Sequence, residues 1–237
     1  VGQVLRVSPS GMSTARQLRQ AGMEMIGAAG QVSELEVLTA ALEGLHVLGL
    51  ESLVLGLSYG GLFEALFEGC LPDSQAIVRK ALYHKDVGSL PEAMPFKDFT
   101  IALLTESLES VLARDDVPAA IKPSLLEMQQ IHDALQERFP NLTLRPDPLD
   151  TEGFDYHEGL CFTLFDASSR QEIGCGGCYT LSDVQRGCGV TFYIERLIAA
   201  SITPPAAPPS QSIDAQMPYA EAKKLRDEGI VTVTKCH

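Results

Sequence analysis

Positive charge is scarce in this chain: 18 Lys and Arg stand against 31 Asp and Glu, for a net charge of -13 over 237 residues. A nucleic-acid partner is therefore not expected, because phosphate contacts need clustered cations. Also missing is an apolar run long enough to cross a bilayer, and no charged-then-apolar pattern opens the chain, so no membrane association is expected and the reading is cytoplasmic. The six cysteines do not fall into two close pairs. Cys175-Gly-Gly-Cys178 has the spacing of a zinc knuckle or a redox pair. A structural zinc site usually shows a second such pair, and a redox motif opens a helix, whereas this one lies in an extended run. Reduced thiols and no metal or cofactor are the expectation.

What is present is an ordinary globular composition, 45% hydrophobic and 21% charged, in a chain long enough to bury a sizeable core. Two extended runs stand out, from Glu152 to Phe165 and from Glu172 to Tyr179, joined by the polar Asp166 to Gln171; together they read as a hairpin. Alternation puts Asp155, His157, Gly159 and Cys161 on one face and Tyr156, Leu160, Phe162 and Leu164 on the other. Gly174, Gly176 and Gly177 pack nothing themselves, and glycines in a strand often mark the close approach of a ligand or another backbone. They suggest a floor.

Upstream, a strand over Val1 to Val7 leads through a polar loop to residues 15–27. Read as a strand, the latter sets Leu18, Gln20, Gly22, Glu24 and Ile26 on one face and Arg19, Ala21, Met23 and Met25 on the other. Periodicity also permits a helix there, with Gln20 and Glu24 as neighbours at i and i+4. Residues 33–48 read as a helix opened by a Ser33/Glu36 capping box, with Leu35, Leu38, Leu42 and Leu45 as its apolar face and Gly49 as its stop. Further helices are expected over Leu62 to Glu68, Asp73 to Lys85, Phe96 to Ala113 and Pro123 to Phe139, and short strands over Leu53 to Leu57 and Asn141 to Arg145. Ser58-Tyr-Gly-Gly lacks the lysine and glycine spacing of a phosphate loop and reads as a turn. His84 and His132 sit among charged neighbours and read as solvated. Asp183 to Gly189 reads as a loop before a strand from Val190 that runs into a helix. Ile202 to Ser212 has the composition of a stiff linker. Beyond it, Pro218 to Glu228 reads as a short helix and Ile230 to Thr234 as a strand.

Gly153-Phe-Asp-Tyr-His-Glu-Gly-Leu-Cys-Phe, followed by Gly-Cys-Gly-Gly-Cys-Tyr179, resembles the paired histidine-specific motifs of histidyl-tRNA synthetases, and more closely those of their relatives, the ATP phosphoribosyltransferase regulatory subunits. Arg6 to Gly27 resembles the strand-loop-strand motif 2 of class II synthetases, and Val190 to Arg196 resembles motif 3. The resemblance implies an α+β fold: an antiparallel sheet flanked by helices over residues 1–200, whose N-terminal part is expected to be missing. A Pro-rich linker over 201–212 and a truncated α/β appendage over 213–237 would follow. It also implies a histidine pocket formed by Arg6, Gln20, Glu24, Tyr156, His157 and Tyr179.

Three departures bear on chemistry. Glu152 replaces an arginine that neutralises carboxylate and phosphate, Ser8 replaces a glutamate, and Tyr193 stands where synthetases place a glycine, so that a phenol crowds the nucleotide pocket. The resemblance therefore implies a non-catalytic regulatory subunit of ATP phosphoribosyltransferase, acting in the first step of histidine biosynthesis and its feedback inhibition. Its implied partners are the short-form catalytic subunit, a second copy of itself in a homodimer, and L-histidine as effector. A fragment of an active histidyl-tRNA synthetase is the alternative, and a scaffold with a vestigial pocket is a third reading.

Overall fold

A computed structural model describes residues 1–5, 7, 16–27, 30–150, 157–182 and 185–200, and in the tail residues 210–213, 217, 218, 221, 224, 225, 227, 228 and 230–234. The chain divides into two compact units, residues 1–200 and 201–237.

The first unit is built on one seven-stranded sheet. Its strands are β1 (Gly2–Leu5), β2 (Gln17–Ile26), β3 (Leu53–Tyr59), β4 (Thr143–Pro146), β5 (His157–Asp166), β6 (Gln171–Ser182) and β7 (Gln185–Tyr193). They lie in the order β1-β2-β7-β6-β5-β3-β4, antiparallel throughout except for the parallel pair of β3 with β4 at one edge. The region 17–26 is thus a strand and not a helix, paired with β7 from Gln20↔Tyr193 to Ile26↔Gly187. Its apolar side turns inward: Met23 and Met25 pack against the core, while Glu24 is exposed on the opposite face.

The helices cover one face of the sheet, and their sequence spacing explains why. Helix α1 (Gln31–Val47) buries Val37, Leu38, Ala41, Leu42 and Leu45, a stripe at helical period. Helix α6 (Lys122–Arg138) buries Leu125, Met128, Ile131 and Leu135 at the same period. These stripes meet Leu55, Leu57, Leu160, Phe162, Leu164, Cys178, Cys188 and Val190 from the sheet in one core. Between them come α2 (Leu62–Phe67), α3 (Pro72–Tyr83), α4 (Lys97–Thr105) and α5 (Leu108–Leu112); α7 (Ile194–Ala200) continues directly from β7.

Several local expectations are corrected. The Ser33/Glu36 capping box does not form: α1 begins earlier, after Gly30, and the Ser33 hydroxyl donates back to the Gly30 carbonyl at 2.8 Å. The single helix expected over Phe96 to Ala113 is two. Glu106 is extended, and the Ser107 hydroxyl accepts from the Ser110 N–H at 3.2 Å to start a new helix. The stretch read as a loop before Val190 is already strand from Gln185. A hydrophilic, glycine-containing segment is not forced out of a sheet when its neighbours supply the contacts, and β7 is sandwiched between β2 and β6.

In the second unit, β8 (Ser210–Ile213) pairs parallel with β9 (Val231–Thr234), and the described residues Glu221, Lys224, Leu225 and Asp227 are helical. Strand therefore begins at Ser210, within the stretch whose proline content reads as linker.

Leu125 is fully buried between α1 and the sheet. Leu125→Ala is expected to lower unfolding stability by about 3 kcal/mol through lost transfer energy and a residual cavity, read as a lower urea midpoint at unchanged slope.

Candidate functional site

Opposite the helices, the second face of the sheet gathers the polar residues. Because alternate residues share a face, Gln20, Gly22 and Glu24 of β2 line up with Gly187, Gly189 and Tyr193 of β7 and with Cys175, Gly177 and Tyr179 of β6. Glu24 and Tyr179 lie on strands that are not neighbours, with β7 running between them. Yet the Tyr179 hydroxyl donates to Glu24 Oε2 at 2.7 Å. The bond passes over β7 because β7 offers no side chain there. A Cβ at Gly189 would collide with the Glu24 carboxylate, and one at Gly187 would stand 2.7 Å from the Tyr179 ring.

His157 closes the other side. It pairs with Tyr179 across β5 and β6, the two rings meeting edge to face with centroids 6.3 Å apart. Gly177 makes room for it, since a Cβ there would lie 2.7 Å from His157 Cδ2. Burial pushes the His157 imidazole down from the ordinary 6.5 to about 4, so the ring is neutral at physiological pH. The site is thus a shallow polar basin in which a carboxylate and a phenol are already joined, beside a neutral imidazole.

The floor differs from the one expected. Of Gly174, Gly176 and Gly177, only Gly177 faces this basin; Gly176 lies against Phe162 and Gly174 against Phe192. The remaining floor glycines are Gly187 and Gly189, which sit in the segment read from sequence as a loop. Their signal was the i, i+2 spacing of glycines beside Thr191 and Tyr193, the same period as the strand. The face assignment along β5 also changes. Two extra residues bulge between His157 and Cys161, and Gly159 turns towards Cys178 and Glu34 on the helix side, away from His157's face.

Gln20 shares the Glu24 face two rungs along β2, opposite Tyr193. Arg6 and Tyr156, also named as pocket residues, lie outside the described residues, as do Ser8 and Glu152. Tyr193 is only 2% exposed. The Arg196 guanidinium stacks 4.5 Å above its ring, and Arg196 Nη1 donates to the Glu172 carbonyl at 2.7 Å and to its carboxylate at 3.2 Å. The Tyr193 hydroxyl in turn lies 3.3 Å from Cys175 Sγ. This end of the basin is filled by protein. No group of three or more His, Cys, Asp or Glu able to hold a metal ion occurs among the described residues, and none of the described helices is long and apolar enough to cross a membrane.

A family model described as histidyl-tRNA synthetase matches residues 1–197, which span the whole of this sheet and its helices. The chain belongs to the histidyl-tRNA synthetase family. Within that family it is similar to curated proteins named ATP phosphoribosyltransferase regulatory subunit. One from Gluconobacter oxydans is 30% identical over 98% of this chain, and one from Paramagnetospirillum magneticum is 31% identical over 98%. The chain spans 63% of the length of each. Among solved structures, a regulatory subunit/histidyl-tRNA synthetase from Bacillus halodurans aligns over 93% of this chain and 63% of its own, with TM-score 0.70 and 19% identity. The ATP phosphoribosyl transferase (HisG:HisZ) complex from Thermotoga maritima aligns over 81% of this chain and 70% of its own, with TM-score 0.65 and 21% identity. These likenesses establish the class II synthetase-like fold of the family member described above.

Two outcomes are expected of the basin. The His157 ring should titrate near pH 4 by NMR; a midpoint near 6.5 would contradict its burial. Since its folded value is depressed, stability is complete above about 6.5 and is lost as the pH falls towards 4, because the unfolded chain takes up the proton first. Gly189→Ala should leave the fold in place while displacing the Glu24 side chain and breaking its bond to Tyr179, visible as an altered Tyr179 ring environment in NMR spectra.

Proposed function

We propose that this chain is the synthetase-like part of a non-catalytic regulatory subunit of ATP phosphoribosyltransferase, and that its basin senses L-histidine without activating it. The observation that carries this reading is the contrast between the two ends of one face. At one end Glu24, Tyr179 and His157 converge over bare glycine backbone; at the other, Tyr193, Arg196 and Glu172 occupy the space against one another.

The chemistry suits an imidazole ligand bearing an ammonium group. A carboxylate accepts from either N–H, a phenol can donate or accept, and the Gln20 amide can do both. Neutral His157 adds a second ring wall without adding charge. Activation with ATP, by contrast, needs cations free to meet phosphate. Arg196 is committed to Tyr193 and Glu172, and the net charge of -13 makes nucleotide and tRNA poor partners. The similarity to proteins named as regulatory subunits supports the same reading, with the short-form catalytic subunit and a second copy of this chain as partners. Histidine would shift the assembly only by its differential affinity for two states, typically about 1–3 kcal/mol of coupling.

An active histidyl-tRNA synthetase fragment is favoured by one observation, the family model matched over residues 1–197. Pyrophosphate exchange dependent on histidine and ATP separates the two readings, and none is expected. Calorimetry of the chain, and of its complex with the catalytic subunit, should show L-histidine binding that Glu24→Ala reduces at least about 100-fold, the loss of a charge-assisted hydrogen bond worth about 3 kcal/mol. Absence of histidine binding to both preparations would overturn the proposal.

A further inference from the structure

The sheet face that carries the basin continues past it to the β3–β4 edge, and there the bare-glycine arrangement of β7 recurs without its closing bond. Thr163 of β5, Gly56 of β3 and Arg145 of β4 share one rung, because Gly56 pairs with both of the others. Paired residues point to one side of a sheet, and Thr163 also pairs with Cys175 of β6, so all three face the basin side. Leu144, the neighbour of Arg145, packs against the core on the other side. With no side chain on Gly56, β4 and β5 confront each other across two strand spacings, about 10 Å. Over β7 such a gap is closed by Tyr179 and Glu24. Over β3 it stays open: among the described residues the side chains of Arg145 and Thr163 have no hydrogen-bond or ion-pair partner.

The opening is a groove of ≈ 140 Å³ lined by Val54, Gly56, Ser58, Arg145, Thr163 and Phe165, with Asp147 and Asp150 also bordering it. That is several times the about 30 Å³ share of one water and well short of a drug-sized cavity, so it suits a molecule of one ring. Its floor is apolar. Val54 pairs with Phe165, whose ring comes within 4.0 Å of where a Gly56 Cβ would stand. Ser58, next on the same face of β3, is only 4% exposed, and its hydroxyl also has no protein partner among the described residues. A nearly buried hydroxyl that lines a groove takes its hydrogen bond from what the groove holds.

Charge decides what fits. The guanidinium fork of Arg145 matches a carboxylate, and the Ser58 and Thr163 hydroxyls can donate to the same group. The acids nearby do not serve Arg145: Asp147 is ion-paired with Lys85, and its N–H donates to the Leu57 carbonyl at 2.7 Å. Asp147 and Asp150 also weigh against a doubly charged phosphate, whereas a single carboxylate seated at Arg145 meets less repulsion. We propose that this groove binds a small monocarboxylate with a flat apolar body, its carboxylate on Arg145 and the Ser58 and Thr163 hydroxyls, its body on Val54, Gly56 and Phe165. The site is separate from the basin. Ser58 pairs with Cys161, and Cys161 with Gly177 against His157, so β5 lies between the two. The proposal does not rest on the histidine reading.

The test titrates the whole chain with sodium benzoate at constant ionic strength and follows backbone amides by NMR. Shifts should saturate in residues 54–58, 143–147 and 163–165, with a dissociation constant in the low millimolar range. Arg145→Gln, at an exposed position, should weaken binding at least about tenfold by removing the charged partner. Gly56→Ala should weaken it several-fold by raising the floor. That variant folds, because a Cβ there makes only ordinary contacts, the nearest at 3.7 Å from the Thr163 carbonyl. Benzyl alcohol, a ring without the charge, and inorganic phosphate, a charge without the ring, should each bind at least about tenfold more weakly than benzoate. No saturable shift with benzoate overturns the proposal, and so does binding that survives Arg145→Gln or shifts centred on residues 177–189 of the basin. Equal binding of benzyl alcohol or of phosphate overturns it as well, leaving a merely apolar groove in the first case and a bare anion site in the second.

Discussion

The basin depends on a hydrogen bond between two strands that do not touch. Neighbouring strands lie about 4.8 Å apart, so β2 and β6 are separated by about twice that distance. Tyr179 and Glu24 span the gap only because the intervening β7 is stripped of side chains at Gly187 and Gly189. Everything on that face follows from the bare stretch. The phenol lies down over β7, the carboxylate comes to meet it, and His157 stands at the phenol's edge over Gly177. A few residues farther along β7 the side chains return, and Tyr193 fills the face that the glycines left open.

The two sides of the sheet solve opposite problems. The helix side is a dry core of Leu, Phe, Ile and Met at helical period, and it supplies the burial that holds the sheet flat against α1 and α6. The basin side has little apolar burial beyond Leu18 and Tyr193 and borrows its order from the strands. A strongly polar intrusion into the helix side, Glu34 with Glu127 and Tyr59, sits behind the basin strands.

Much of this was legible from the amino-acid order, and the failures have physical causes. The stripes of α1 and α6 and the β5–β6 hairpin announce themselves because burial imposes a period that composition records. Gln20 and Glu24 were identified as a pair under both the strand and the helix reading, and the β2–β7 register settles which applies. Gln185 to Gly189 was misread because strand propensity counts side chains that pack, and here the strand's purpose is to lack them. Phe96 to Ala113 was misread because its apolar period continues across Glu106, while the break comes from one Ser hydroxyl capping a new turn. Glu34 is not among the residues that the sequence reading singles out. Its place in line with Leu38, Ala41, Leu42 and Leu45 was a signal that it points inward.

The bond between Tyr179 and Glu24 also sets the terms on which any guest is admitted. A cleft with idle polar groups would offer its whole interaction energy to whatever arrives; this one has already spent part of it on itself. An incoming molecule must match or better a phenol at the carboxylate, so affinity here is a small difference between two good bonds. Such a site tends to be modest in strength and sharp in choice, and to let go as readily as it takes hold.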